Sequence, residues 1–207
     1  MIIEFPPHER ANHDGLLAVG GDLEVETLLT AYARGIFPWY AEDQPVLWWS
    51  PDPRMVLFPH QFYISKRLRR RLAQPKYRFS RDEAFAAVVR CCADIPRAGQ
   101  QGTWIFPEMI EAYMQLHEQG FAHSFEVWEA DLLVGGLYGV LLNQTFFAES
   151  MFSRQRDGSK MAMAKMVECA LLENWVMIDC QFYTDHLASL GAAEISRQEF
   201  LQRLSMS

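Results

Sequence analysis

Two carboxylates in the second half of the chain lie inside otherwise apolar, strand-like sequence. Glu149 follows Phe146-Phe147-Ala148, and Asp179 follows Met177-Ile178. An ionised carboxylate in surroundings of low dielectric constant is costly unless it is paired, so such a group marks either an ion pair or a reactive site. A structural role, in which each carboxylate caps a helix or pairs with an arginine, is an equal alternative on this pattern alone. Glu149 and Asp179 are therefore the first candidates for chemistry.

Short motifs along the whole chain carry a resemblance to a known family. They read GLLAVGGDL (15–23), RGIFPW (34–39), LWWSPDPR (47–54), TWI (103–105), LVGGLYG (133–139), ESMFSR (149–154) and IDCQ (178–181), followed by residues 186–192. With these motifs in this order, the chain resembles the leucyl/phenylalanyl-tRNA–protein transferases. Ala148, where the family pattern has Gly, and Ser196, where Pro is usual, are small departures that alter no candidate reactive residue.

The resemblance implies an aminoacyltransferase. Such an enzyme moves Leu or Phe, less often Met, from aminoacyl-tRNA to the N-terminal α-amine of proteins beginning with Arg or Lys, which marks them for N-end-rule degradation. Aminoacyl-tRNA and these acceptor proteins are the expected partners, and no cofactor, metal, DNA or membrane is expected. An α-amine with a pKa near ~8 needs little activation, so the protein must supply positioning, proton removal and oxyanion stabilisation. We expect a cytoplasmic monomer.

The resemblance assigns proton handling to Asp179 and Gln181. Alternation along a strand places both on one face, with Cys180 on the other. A hydrogen bond from the Gln181 amide to the Asp179 carboxylate would orient the side chain, so that its oxygen could accept a hydrogen bond from the attacking amine. The ribose 2′-hydroxyl of the tRNA is an alternative proton carrier. Glu149 is expected to bind a cationic group, either the aminoacyl α-ammonium or the acceptor's Arg or Lys side chain.

The resemblance also implies an apolar pocket for the transferred side chain and an aromatic platform for the terminal adenosine. The expected pocket residues are Leu137, Phe146, Met163, Met166 and Ile178, although each alone is more often an ordinary core residue. Trp39 and Trp104 are expected to stack on the adenine, since base stacking on an aromatic side chain contributes about 1–3 kcal/mol. Trp48 and Trp49 are expected to be structural.

A cluster of positive charge interrupts an acidic chain. The net charge is −7, yet eight of the 19 basic residues fall between positions 66 and 81 with no acid among them: Lys66, Arg67, Arg69, Arg70, Arg71, Lys76, Arg78 and Arg81. Lysine and arginine that neutralise phosphates carry much of a protein's affinity for nucleic acid. A solvated helix surface is the ordinary alternative. Together with the resemblance, residues 66–78 predict a tRNA-binding face.

Composition indicates a folded, soluble protein. The 207 residues are 50% hydrophobic and 22% charged, enough for one large core or a core with a small satellite. No apolar run approaches the ~18 residues of a membrane span, and the N-terminus lacks a signal-peptide pattern. The four cysteines contain no Cys-x-x-Cys pair, and the six histidines show no metal-ligand spacing, which argues against a zinc site or a disulfide framework.

Sequence periodicity predicts the elements that must position these residues. Helices are expected near 24–34, 81–93 and 107–120 and from 159 onward, and strands over 124–128, 132–142, 145–150 and 176–180. Ser80 and Glu83 form a capping-box pattern before the second helix, and Gly135-Gly136 predicts a bulge or a close backbone approach. We predict an α+β fold with a small N-terminal lobe (1–54) and an N-acetyltransferase-like domain (55–207), whose mainly antiparallel sheet is flanked by helices.

That fold leaves an acyl-CoA-dependent N-acetyltransferase as the main alternative function. Such enzymes hold the CoA pyrophosphate on backbone N–H groups at a helix start, through a Gln/Arg-x-x-Gly-x-Gly/Ala pattern. The corresponding stretch QRDGSK (155–160) has Lys160 where a small residue is needed, so the match is poor. A non-catalytic RNA-binding protein would explain the basic residues but not the two carboxylates.

Overall fold

The computed structural model describes residues 4–95 and 105–206, which form two β-sheets and seven α-helices. The smaller sheet is antiparallel, with β3 (Leu47–Trp49) between β1 (Leu16–Val19) and β2 (Phe37–Pro38). Helix α1 (Val25–Ala33) connects β1 to β2 and buries Tyr32. Gly35, with φ +67°, reverses the chain after α1 in a conformation that favours glycine.

The larger sheet has seven strands in the order β10-β4-β9-β8-β7-β6-β5. The strands are β4 (Arg54–Leu57), β5 (Tyr77–Arg81), β6 (Ala122–Glu129), β7 (Leu132–Leu142), β8 (Thr145–Ser153), β9 (Met177–Gln181) and β10 (Ala193–Ile195). All neighbours among them are antiparallel except β8 and β9. A parallel pair needs a long crossover connection, which α5 (Gly158–Leu172) provides.

Helices cover both faces of the larger sheet. The remaining helices are α2 (Lys66–Leu72), α3 (Phe85–Asp94), α4 (Pro107–Glu118), α6 (Asp185–Ala188) and α7 (Arg197–Leu204). Alternation along β8 sends Phe147 into the apolar layer of α1, α3, α4 and α7, and Phe146 into the layer of α2 and α5. Both side chains are fully buried, and burying a phenylalanine contributes about 1.5–3 kcal/mol. Two cores thus hold β8 and β9 from opposite sides.

Close packing of α5 on β7 explains one glycine. A Cβ added at Gly135 would lie 2.5 Å from the carbonyl carbon of Gly158, the first residue of α5. The β6–β7 register also shifts between Val127 and Trp128. The expected bulge and close backbone approach are therefore both present.

The prediction of an α+β fold with a mainly antiparallel sheet flanked by helices is confirmed. The predicted strands and helices exist with small shifts of their ends, but the capping box is wrong. Ser80 lies in β5, where its hydroxyl donates to Glu126 at 2.6 Å, and α3 begins only at Phe85. Strands β1, β4, β5 and β10 were not predicted. The division of the chain at residues 54 and 55 stays a prediction.

None of the helices within the two described ranges is long and apolar enough to cross a lipid bilayer.

Candidate active site

The two carboxylates lie where β8 and β9 separate. The strands pair in parallel from Thr145 with Met177 to Phe147 with Asp179, and the ladder ends there. Beyond it, Glu149 on β8 and Gln181 on β9 are linked only through their side chains. Separation of two strands opens a cleft at the middle of the sheet, which is the candidate active site.

Glu149 is buried at this opening with four polar contacts around it. The Tyr32 hydroxyl lies 2.8 Å from Oε1, the Tyr113 hydroxyl lies 2.7 Å from Oε2, and Gln181 Nε2 donates to Oε1 at 3.1 Å. The two phenolic oxygens are 2.7 Å apart. Burial raises the pKa of Glu149 to about 7, although the hydrogen bonds from the phenols and from Gln181 act in the opposite direction. Glu149 therefore changes charge near neutral pH.

Gln181 has an unusual backbone conformation. Its φ of +64° is left-handed, which costs a residue with a side chain roughly 1–3 kcal/mol. The Gln181 backbone N–H donates to Asp179 Oδ1 at 3.0 Å, a contact that supports this conformation. The left-handed residue interrupts the alternation of β9, and the side-chain amide points to Glu149. The Gln181 side-chain oxygen remains as an acceptor at the cleft.

Asp179 is fully buried and forms an ion pair with Arg54 of β4. Arg54 Nε donates to Oδ1 at 2.8 Å and a terminal nitrogen donates to Oδ2 at 2.5 Å. The guanidinium lies 4.6 Å from the ring centres of both Phe37 and Phe200. Two charges this deep are tolerated because they pair bidentately.

The expected hydrogen bond from the Gln181 side chain to the Asp179 carboxylate is therefore wrong. Arg54 binds both carboxylate oxygens, and Asp179 reaches Gln181 only through the backbone N–H. The Gln181 side chain is oriented by Glu149 instead.

An apolar cavity of about 110 Å³ lies beside Glu149 and Gln181. Three expected pocket residues, Leu137, Met163 and Met166, line it. It is also lined by Ala148, Ser150, Met151, Cys180 and Leu187. The other two expected residues, Phe146 and Ile178, are fully buried in the core and are not among the lining residues; the Phe146 ring stacks on Trp175 with centroids 5.3 Å apart.

An aromatic cluster follows Gln181 directly. Phe182 contacts Trp39 with ring centroids 5.4 Å apart, and Trp39 contacts Trp49 at 5.6 Å. Trp39 is thus near the active site and partly exposed. Trp104, the other expected adenine platform, lies outside the described residues. Trp48 is buried, and its indole N–H donates to the Gly20 carbonyl at 2.8 Å.

The basic residues at positions 66–81 divide into paired and unpaired groups. Those with acidic partners are Arg67 and Arg71 with Asp157, Lys76 with Glu129, Arg78 with Glu83, and Arg81 with Asp82 and Glu173. Lys66, Arg69 and Arg70 are exposed and form no ion pair with the described part of the chain.

No group of three or more His, Cys, Asp or Glu that could hold a metal ion occurs in the part of the chain that the structure describes.

Two family models match the chain in consecutive stretches. Residues 21–52 match the leucyl/phenylalanyl-tRNA protein transferase N-terminal domain, and residues 56–205 match the leucyl/phenylalanyl-tRNA protein transferase model. This chain belongs to the leucyl/phenylalanyl-tRNA–protein transferase family. The resemblance read from the motifs is confirmed, and with it the prediction of an aminoacyltransferase that uses aminoacyl-tRNA.

Individual leucyl/phenylalanyl-tRNA–protein transferases match almost the whole chain. One from Anaeromyxobacter sp. (strain Fw109-5) is 57% identical over 202 residues, covering 98% of this chain and 86% of that protein. One from Chromobacterium violaceum is 53% identical over 202 residues, covering 97% and 86%. The solved structure of FemX is 13% identical with a TM-score of 0.51, covers 86% of this chain and 70% of its own, and shares the fold alone. The acyl-CoA-dependent alternative gains no support.

Sequence reasoning did not identify three residues of this leucyl/phenylalanyl-tRNA–protein transferase site. Arg54 ends the LWWSPDPR motif, so that motif was a usable signal. Tyr32 lies on α1, and nothing in the local sequence of that helix indicates its contact with Glu149. Tyr113 lies on α4 with no local sign of its role, because its contact with Glu149 arises from packing of distant elements.

Proposed function

We propose that this enzyme transfers leucine or phenylalanine, and less often methionine, from aminoacyl-tRNA to the N-terminal α-amine of proteins that begin with Arg or Lys, marking them for N-end-rule degradation. The observation that carries this proposal is the apolar cavity with Glu149 and Gln181 at its polar border. Such a cavity suits an apolar side chain that is not branched at its β-carbon. The two polar residues at its border suit the reacting ester and a cationic group of a substrate.

Gln181 is proposed to accept a hydrogen bond from the attacking amine. Its amide N–H group is occupied by Glu149, so the amide oxygen is the group left to face the amine. As the C–N bond forms, the amine proton passes to the leaving ribose oxygen, either directly or through the neighbouring 2′-hydroxyl. Gln181 thus orients the nucleophile, which is a large part of catalysis when the ester is already reactive.

Asp179 is proposed to act as a positioning residue. It is fully buried, it is neutralised by Arg54, and it touches Gln181 only at the backbone. Its carboxylate stabilises the left-handed conformation that turns Gln181 toward Glu149. The proton-handling role expected for Asp179 is accordingly reduced to this support.

The cavity is proposed to select the transferred amino acid by shape. Its lining includes three flexible methionines, Met151, Met163 and Met166, which adapt to both leucine and phenylalanine. An apolar pocket discriminates by only about 1–3 kcal/mol per methylene. Rejection of valine and isoleucine therefore requires crowding near the β-carbon of the transferred residue. We assign that crowding to Ala148 and Glu149 of β8, which both line the cavity.

Trp39 is proposed to stack on the terminal adenosine, and Lys66, Arg69 and Arg70 to contact tRNA phosphates. Trp39 is partly exposed in the aromatic cluster that follows Gln181. The three cations lie on α2 without acidic partners in the described chain, so their charge is available to phosphates. Arg67, Arg71, Lys76 and Arg78 already bind carboxylates and are expected to contribute less.

A two-donor assay tests the proposed function. The purified protein is incubated with a peptide beginning with Arg and with labelled Leu-tRNA or labelled acetyl-CoA. We expect label from Leu-tRNA at the peptide N-terminus and none from acetyl-CoA. An otherwise identical peptide beginning with Ala is the acceptor control. Label from acetyl-CoA alone, or equal label on both peptides, would contradict the proposal.

A further inference from the structure

The oxygens around Glu149 make more close contacts than an ionised carboxylate can satisfy. The separations Tyr32–Oε1, Tyr113–Oε2 and Tyr32–Tyr113 are 2.8, 2.7 and 2.7 Å. Each is a hydrogen-bond distance and needs one proton between its two oxygens. The two phenols supply only two protons. If Glu149 is ionised, one contact brings two oxygen lone pairs together; if Glu149 is protonated, all three contacts are satisfied.

Gln181 fixes the direction of hydrogen bonding in the protonated ring. Gln181 Nε2 donates to Oε1, so Oε1 is the carbonyl-like oxygen and the proton lies on Oε2. Oε2 then donates to Tyr113, Tyr113 donates to Tyr32, and Tyr32 donates back to Oε1. Every proton in the ring lies between two oxygens.

In the part of the chain that the structure describes, no cationic side chain pairs with a member of the ring. Tyr32 comes from α1, Tyr113 from α4, and Asp179 and Gln181 from β9, while the Tyr138 ring of β7 packs on Tyr113 with centroids 5.3 Å apart. Asp179 is already paired with Arg54. No ion pair in residues 4–95 and 105–206 includes Glu149. An ionised Glu149 would thus add an unpaired buried charge, which is costly.

We propose that Glu149 is a neutral acid in the empty site and ionises when an ammonium or guanidinium group of a substrate binds, with Tyr32 and Tyr113 as positioning residues that hold it in both states. This inference rests on the proposed function, which brings such a cation to the cavity. The proton leaves Oε2 for water, and the bound cation replaces its positive charge. Both phenols then donate to the carboxylate, and the contact between Tyr32 and Tyr113 opens.

The exchange gives the site a way to favour cationic ligands. When a ligand without the cation binds, Glu149 either stays neutral or keeps a buried negative charge that has no partner. A ligand with the cation gains an ion pair in a site of low dielectric constant, where the interaction is strong. Glu149 therefore selects ligands by their charge, and the cavity selects the transferred amino acid by the shape of its side chain.

The first test follows Glu149 itself in the free protein. In protein labelled with ¹³C at glutamate side-chain carboxyls, one resonance should titrate near neutral pH and be absent from Glu149→Gln. Tyr32→Phe and Tyr113→Phe should each move the midpoint by several tenths of a unit or more, whereas Tyr77→Phe, whose hydroxyl contacts Gln155, should not. A Glu149 already ionised at about pH 6, or a midpoint unmoved in either ring variant, would overturn the ring.

The second test adds ligands at about pH 6 and follows the same resonance. One pair is an amide-linked phenylalanyl adenosine and its twin without the α-amine; the other is a peptide beginning with Arg and its citrulline twin. Binding is followed through the ligands' own signals. We expect one full ligand to ionise Glu149, and its twin, which lacks only the α-ammonium or only the guanidinium, to leave Glu149 protonated. A neutral Glu149 in both cationic complexes would contradict the proposed ionisation on binding. Leucine transfer by the wild type, assayed separately, tests the proposed function.

Discussion

Arg54 binds both carboxylate oxygens of Asp179 inside the protein, where neither side chain reaches solvent. The pair joins β4 to β9, and the rings of Phe37 and Phe200 cover the guanidinium from two sides. Gln181, two residues further along, receives its backbone hydrogen bond from the same carboxylate. The position of the proposed reactive amide thus depends on an ion pair that contacts no substrate.

Asp179→Ala should destabilise the protein strongly. Removing one member of a buried pair leaves the other charge uncompensated, at a cost of about 3–5 kcal/mol. Denaturant unfolding followed by circular dichroism measures the loss. The double variant Arg54→Met/Asp179→Leu should lose much less than Asp179→Ala. If Asp179→Ala unfolds at the wild-type denaturant concentration, the pair does not have the role assigned to it.

Gln181→Gly and Gln181→Ala should separate conformation from chemistry. Both remove the proposed acceptor and should lower kcat for transfer. Glycine adopts φ +64° without strain, so Gln181→Gly should be more stable than Gln181→Ala by about 1 kcal/mol. Thermal unfolding and single-turnover transfer are measured on the same preparations. Normal turnover in both variants would show that Gln181 does not orient the attacking amine.

Glu149→Gln should change how stability depends on pH. The folded pKa of Glu149, about 7, lies above the ordinary value of 4.5, so the folded state binds more protons than the unfolded state between these values. The wild type therefore loses stability as pH rises through this window, by roughly 3 kcal/mol for this group. Glu149→Gln should lack that loss and be the more stable protein at about pH 8. Urea unfolding of the wild type and of Glu149→Gln at a series of pH values gives the difference in free energy of unfolding at each pH.

A variant with Lys66, Arg69 and Arg70 changed to Gln should bind all tRNAs more weakly and with less sensitivity to salt. Three lost phosphate contacts reduce the steepness of log K against log salt by about 2–3. Arg78→Gln, which removes a cation already paired with Glu83, is the matched control and should change the slope little. Filter binding over a range of salt concentrations measures both. Equal slopes in the triple variant and the wild type would place the tRNA path elsewhere.

Cys180→Val should shift the preference between donors. Cys180 lines the cavity, and the extra methyl group takes space that a phenyl ring needs more than an isobutyl group does. The ratio of kcat/KM for Phe-tRNA to that for Leu-tRNA should fall by about 10-fold or more, corresponding to 1–3 kcal/mol per methylene. Cys91→Val, on α3 and away from the cavity, should leave the ratio unchanged.

Local patterns predicted the elements that carry the site but not the contacts between them. Alternation around Glu149 and Asp179 correctly indicated strands β8 and β9, and the helix expected near 107–120 is α4. Alternation failed at Gln181, because a left-handed residue interrupts the period and turns the side chain to Glu149. Nothing local to β9 indicates that failure.

Long-range packing decided the remaining differences. Phe146 and Ile178 have the apolar character of pocket residues, yet the packing of Trp175 and α5 places them in the core. The basic residues of positions 66–81 are adjacent in sequence, but acids from distant strands and loops neutralise several of them, such as Asp157 for Arg67. Which cations remain free depends on the folded surface and could not be read from the charge pattern.

One of the two aromatic rings over Arg54 comes from the helix that follows the last strand of the larger sheet. Phe200 belongs to α7 (Arg197–Leu204), which the ribosome makes after both members of the ion pair. Until α7 docks, only Phe37 covers the guanidinium, and water can reach the side on which Phe200 will pack. Water raises the local dielectric constant and weakens the ion pair with Asp179. A nascent chain should therefore acquire activity only once α7 has emerged, and not as soon as both members of the ion pair have been made.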